Sequence, residues 1–390
     1  MKNKRGLLGV LIIGLLALSW GCSGKGGAGD AGEEADTLDL PPASVLLAVD
    51  ILVVIDNSGS MAEEQQRFLD AFPALVRNFV DPPVEAETGQ RAHEPVRSLH
   101  LGVVSTDMGV GGYDIPTCGR DPLKGDDGIL QSTPRGAGCG ASYPRFLSYE
   151  VAAGADPDLA AAEKAILDFA CIAALGTDGC EWEQPLEAAH EALMSHSLPG
   201  GVNEGFLRND SILVVLFLTD EDDCSITETS IFNPEEWRYP VQLLCYLHPY
   251  TLYPVDRYVE AFSALRPAGE GLVLGLITGV PPGDPDPWYK CNGTGDEIDG
   301  CFNYDAMNEV VRPDGRALEY SCTYPAECTP PDPPEAGDCA TTAFPAKRFV
   351  QVAMQLGASA FVESLCSDDY SHAIDSIYGM IRESVREQVP

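Results

Sequence analysis

Short apolar runs recur along the chain at residues 51–55, 99–104, 212–218, 272–277 and 358–362, with few polar interruptions. A strand that alternates polar and apolar residues shows one face to water. A continuous apolar run buries both faces, which points to a mainly parallel sheet covered by helices on either side. Between the runs the period changes. Phe68, Leu69, Phe72, Leu75, Val76 and Phe79 share one face of a helix, which Pro73 is expected to kink. A second helix should start near Pro185, gather Leu186, Ala189, Leu193 and Met194 on one side, and stop at Gly200-Gly201. Further helical patterns cover 254–265 and 345–356, the latter followed by Gly357 as a C-cap, and a last one carries Ile374, Ile377, Tyr378, Ile381 and Val385. Strands alternating with helices predict a doubly wound α/β fold, Rossmann-like, in which ligands bind outside the carboxyl ends of the strands.

Two segments break this rhythm, at about 109–149 and 280–344, both rich in Gly, Pro and Asp. They are expected to be cysteine-rich insertions in a domain that spans 43–390. Ahead of that domain, residues 1–21 combine a basic start (Lys2, Lys4, Arg5) with an apolar run too short to span a bilayer, the pattern of a secretory signal. Gly21-Cys22 resembles the cleavage box of bacterial lipoproteins, although Ser19 stands where such boxes usually have Leu. The resemblance implies lipidation of Cys22 and anchoring in a bacterial cell envelope, on the periplasmic side or at the cell surface. Ordinary secretion is the plainer alternative. Residues 22–42 are small, polar and acidic, the composition of a flexible tether.

Export changes how the cysteines are read. Apart from Cys22 there are twelve: Cys118, Cys139, Cys171, Cys180, Cys224, Cys245, Cys291, Cys301, Cys322, Cys328, Cys339 and Cys366. An even set in an exported chain predicts disulfides, and the paired C-x-x-C spacing of a zinc site does not occur. Connectivity is open. The one pairing expected is Cys171 with Cys180, closing a short loop around Thr177. Charge narrows the partners. With 60 acidic against 24 basic residues the net charge is −36, a field that repels nucleic acid and anionic lipid, so membrane contact is expected only through the lipid anchor.

The first apolar run ends in Asp56-Asn57-Ser58-Gly59-Ser60. Alternate oxygen-bearing residues on a turn after a strand can aim a carboxylate and two hydroxyls at one hard cation. A plainer reading covers part of this, since Ser60 and Glu63 fit a capping box opening the next helix. It leaves Asp56 and Ser58 unexplained. The pattern resembles the metal-ion-dependent adhesion site of von Willebrand factor type A domains, and two further elements match in order: Thr177 ahead of the helix near Pro185, and Asp220 closing the run 212–218. The resemblance implies that Ser58, Ser60 and Thr177 bind the metal directly, while Asp56 and Asp220 act mostly through water. It departs from the family at Glu221, where Gly is common. Glu221, Asp222 and Asp223 could add a second cation site or form a solvated acidic loop.

Other motifs fail. His190-Glu191 would open H-E-x-x-H, but Met194 ends it. Neither a G-x-S-x-G elbow nor a phosphate-binding G-x-x-x-x-G-K occurs. The expected function is therefore recognition without catalysis. A bound Mg2+, Ca2+ or Mn2+ would engage an acidic residue of a protein partner. The alternative is a metal-braced structural protein whose insertions do the binding. Asp56→Ala is expected to abolish metal binding while leaving the fold intact.

Overall fold

The chain is described by a computed structural model over residues 48–118, 121–266, 271–283, 289–326, 328 and 339–388. The signal at 1–21, the tether at 22–42 and Cys22 lie outside the described residues. The apolar runs form strands, somewhat longer than predicted: β1 (Ala48–Ile55), β2 (Ser98–Ser105), β3 (Leu147–Glu150), β4 (Ile212–Leu218), β5 (Leu272–Thr278), β6 (Gly293–Thr294), β7 (Cys322–Tyr324), β8 (Thr341–Ala343) and β9 (Ala360–Ser364). Seven of them make one sheet in the order β3-β2-β1-β4-β5-β9-β6. Its inner strands are parallel, whereas β3 and β6 pair antiparallel at the two edges. Both edge strands come from the predicted insertions, which thereby cover backbone that would otherwise be open to strand addition.

Every residue of β1, β2, β4 and β5 is buried, because the sheet has a core on each face. Val49, Ile51, Val53 and Ile55 point to one side, with α1 (Ala62–Val80), α2 (Leu159–Ala173) and α7 (Ser371–Gln388). Leu52 and Val54 point to the other, with α3 (Pro185–His190), α5 (Asp256–Leu265) and α6 (Lys347–Leu356). Helices on both faces of a mostly parallel sheet make this an α/β fold.

Local details differ from the pattern in instructive ways. Helix α1 continues through Pro73 as a single helix. Helix α3 gives way at Glu191–Ser195 to a π turn, closed by His196 N–H on Glu191 O at 2.9 Å, so it stops short of Gly200. Helix α2 was not anticipated. Half of its buried face is alanine (Ala162, Ala165, Ala173), which weakens the hydrophobic signal of Ile166, Phe169 and Ile172, and Asp158 caps it by accepting from Ala161 N–H at 2.9 Å. Gly357 does cap α6, at a φ of 57° that favours glycine.

All twelve cysteines of the domain are paired: Cys118–Cys180, Cys139–Cys171, Cys224–Cys245, Cys291–Cys301, Cys322–Cys366 and Cys328–Cys339. The expected Cys171–Cys180 bridge is not formed. Cys171 sits in α2, where Arg135 N–H docks on its carbonyl at 2.9 Å and brings Cys139 alongside. Cys180 turns the other way into a separate cluster with Val110, Ile115, Cys118, Trp182, Ile226, Phe232 and Leu244. Part of that cluster comes from a third excursion between β4 and α5, built of short helical turns and α4 (Leu244–Leu247). The apolar pattern gave no warning of it.

Candidate metal centre

The chain leaves β1 to form β2 on one side and β4 on the other, so the strand order reverses between β1 and β4. Crevices open at such switch points, outside the carboxyl ends of the strands. Ile55 stands opposite Leu218, and Asp56 N–H extends the ladder to Leu218 O at 2.9 Å. That register places Asp56 and Asp220 at the crevice together. Both carboxylates are buried, at 0% and 4% exposure.

Asp56 is held on both oxygens. Oδ1 accepts Ser58 N–H at 2.8 Å, and Oδ2 accepts the Thr219 hydroxyl at 2.8 Å. The first bond folds the turn that carries the serines. Ser58 is buried, Ser60 faces solvent, and their hydroxyl oxygens lie 3.4 Å apart. The capping-box alternative is not realised: Met61 is the N-cap of α1, without a side-chain cap. Ser60 instead acts on Asp220, lowering the carboxyl pKa that burial raises.

Thr177 rides on a loop pinned on either side. Gln65 of α1 donates to Asp56 O at 2.8 Å and Gly176 O at 2.9 Å, and accepts from Gly176 N–H at 3.1 Å. Gly179 N–H donates to Asn57 O at 2.8 Å. A Cβ at Gly179 would collide with the Asn57 side-chain amide, so any larger residue there would have to displace that amide. These pins hold the Thr177 segment against the serine turn, and the half-buried threonine forms no hydrogen bond among those described. Gln65, Thr219 and Gly179 carry no chemistry that a motif would flag, and sequence reasoning missed all three.

The electrostatics ask for a cation. Burial pushes the Asp56 carboxyl up and raises those of Asp220 and Glu183 far above their usual range, and Asp56 raises the latter two further. Glu221 is pushed up to about 8, first by burial and then by Asp56. Asp220 Oδ1 and Glu183 Oε1 are buried without a hydrogen-bond partner. An unpaired buried carboxylate oxygen costs stability unless a cation or proton meets it. Carboxylates beside hydroxyls form the hard-oxygen donor set that Mg2+, Mn2+ and Ca2+ prefer, so these residues fit a divalent ion.

The acidic run after Asp220 is neither a solvated loop nor a joint cation site. Asp222 accepts Arg348 N–H at 3.0 Å on Oδ1, and Asp223 accepts Leu186 N–H at 2.9 Å, the Ser225 hydroxyl at 2.6 Å and Arg348 Nε at 3.1 Å. Their oxygens hold α3 and α6 in place. Asp222 is pushed up to about 7 by burial, with Arg348 opposing. Only Glu221 turns to the centre, where its carboxyl meets that of Glu183.

A different possible group lies where α3 meets the π turn, where ligand atoms of Glu187, His190 and Glu191 fall within 4.8 Å of one another. The Arg257 guanidinium contacts it, at 2.7 Å from Glu187 Oε1 and 3.2 Å from His190 Nδ1, and Tyr258 OH donates to Glu187 at 2.9 Å. A cation already serves those groups.

No family model and no curated protein matches this chain. Among solved structures it is similar to proximal thread matrix protein 1 from the mussel byssus, at 14% identity and a TM-score of 0.26, over 60% of this chain and 38% of that one. A likeness at that score carries no argument about fold or function.

Proposed function

We propose that this chain is a lipid-anchored protein of a bacterial envelope with a von Willebrand factor type A-like domain. It recognises a protein partner through a divalent cation held by Asp56, Ser58, Ser60, Thr177 and Asp220. The supporting observation is the partnerless Asp220 Oδ1, buried at the switch point beside Asp56 and the serine turn. A divalent ion supplies an electrophilic centre at which a partner's Asp or Glu completes the shell. The chain's own groups do the positioning. Thr219 and the Ser58 amide orient Asp56, and Gln65 with Gly179 sets the Thr177 loop. Three neutral hydroxyls add no negative charge, which leaves the ion attractive to a carboxylate in an otherwise acidic field. The proposal is for binding without catalysis.

Calorimetric titration of the full chain with MgCl2, MnCl2 and CaCl2 tests it. One equivalent should bind to the wild type and none to the Ser58→Ala, Ser60→Ala double variant; equal affinities would sink the reading. Asp56→Ala is the poorer probe, because it strands the Ser58 N–H and Thr219 hydroxyl inside the protein. A second reading draws on the apolar cluster around Cys118–Cys180: the ion only braces the loops, and the disulfide-closed insertions bind the partner. Under that reading a chelator unfolds the loops, whereas under the first it releases the partner and leaves the fold.

A further inference from the structure

Beside the candidate centre lies a cavity of about 390 Å3, between the excursion after β4 and the end of the second insertion. That is enough for a long side chain. Its walls include Trp182, Leu252 and Phe344, and Glu181, Glu183 and Glu221 also line it. Other charged groups there are already matched. Arg348 Nη2 lies 3.0 Å from Asp223, and Lys347 lies 2.9 Å from Glu309. Among the described residues no ion pair reaches Glu181, Glu183 or Glu221. Glu183 is 1% exposed and its Oε1 has no partner, so the cavity holds a buried carboxyl oxygen that the protein leaves unanswered.

We infer that this cavity takes a basic side chain, arginine or lysine, from the partner protein. The partner rests on the function proposed above; the preference for an organic cation does not. A basic side chain is a charged head on an apolar stem, which matches carboxylates set among aromatic and aliphatic walls. A second bare metal ion matches less well, since it needs six or more oxygens around it. A macromolecular source is favoured over a free amine by the cavity's surroundings. Tyr246 at its lining is 36% exposed, and Tyr250, in the same excursion, is 78% exposed. Exposed tyrosines of this kind anchor protein interfaces. The partner would thus present an acidic residue to the ion and a basic residue to the cavity.

The probe is L-argininamide, compared with citrullinamide, in which a neutral urea replaces the guanidinium, titrated by calorimetry into the full chain in chelator. The wild type should bind argininamide saturably, at a Kd of about 1 mM or tighter, and citrullinamide at least tenfold more weakly. Glu183→Gln, which keeps the shape, should weaken argininamide about tenfold or more, and Tyr246→Ala should weaken it without changing metal affinity. The Ser58→Ala, Ser60→Ala variant should bind argininamide as the wild type does, so failure of the metal reading would be seen separately. Absence of saturable binding, equal binding of citrullinamide, or an unchanged Kd in Glu183→Gln would overturn the inference. So would a second equivalent of Ca2+ that Glu183→Gln abolishes while argininamide fails to bind.

Discussion

At Gln65 one amide group serves three backbone atoms on two segments distant in sequence, Asp56 and Gly176. Truncation would leave those groups partly buried and unpaired, at a cost of about 1–3 kcal/mol. It would also free the loop that carries Thr177. Gln65→Ala is expected to lower unfolding stability by about 2 kcal/mol and to weaken Mg2+ binding about tenfold. Denaturant melts and calorimetry check both. Wild-type Mg2+ affinity in a destabilised variant would mean that Thr177 is not a ligand. The DxSxS residues themselves were legible in the sequence because carboxylate and hydroxyl at alternate positions are unusual after a buried strand. Gln65 was not, since an amide on a helix face has no chemical signature until its partners fold around it.

Among elements, the disulfides do at the crevice what regular structure cannot. Cys118–Cys180 joins residues 62 apart and ends the Thr177 loop on a rigid post. Loop entropy alone assigns such a bridge about 4 kcal/mol. Replacing both cysteines with serine should cost stability on that order and lower metal affinity, since the pins at Gly176 and Gly179 would then hold a looser loop. Peptide mass mapping without reduction should recover Cys118–Cys180 and Cys139–Cys171, and a recovered Cys171–Cys180 peptide would refute this arrangement. The expected short bridge was reasonable by proximity in sequence. It fails because α2 and the apolar cluster draw the two cysteines to different partners.

For the whole molecule, the buried carboxylates predict how stability follows pH. Glu221 and Asp222 are pushed up to about 8 and about 7, from ordinary values of 4.5 and 3.8. The native state therefore keeps protons that the unfolded chain releases, and stability without metal falls as pH rises through that interval. Thermal melts in chelator should show Tm declining between about pH 5 and pH 8, and saturating Mg2+ should flatten the share of the decline due to Glu221 by favouring its ionised form. A Tm in chelator that rises over this range would remove the argument for a cation.

Sequence alone determined the α/β architecture, because continuous apolar runs admit few arrangements other than strands buried on both faces. Cysteine number predicted a fully paired framework, and the described residues bear that out without the pairing that was expected. Tertiary structure decided the rest. Pairing, the Gln65 pins and the engagement of Asp222 and Asp223 by Arg348 each join residues far apart along the chain. Local periodicity reports which face of an element is buried. It carries no record of what another segment brings to that face, and the chemistry of this crevice is made of such meetings.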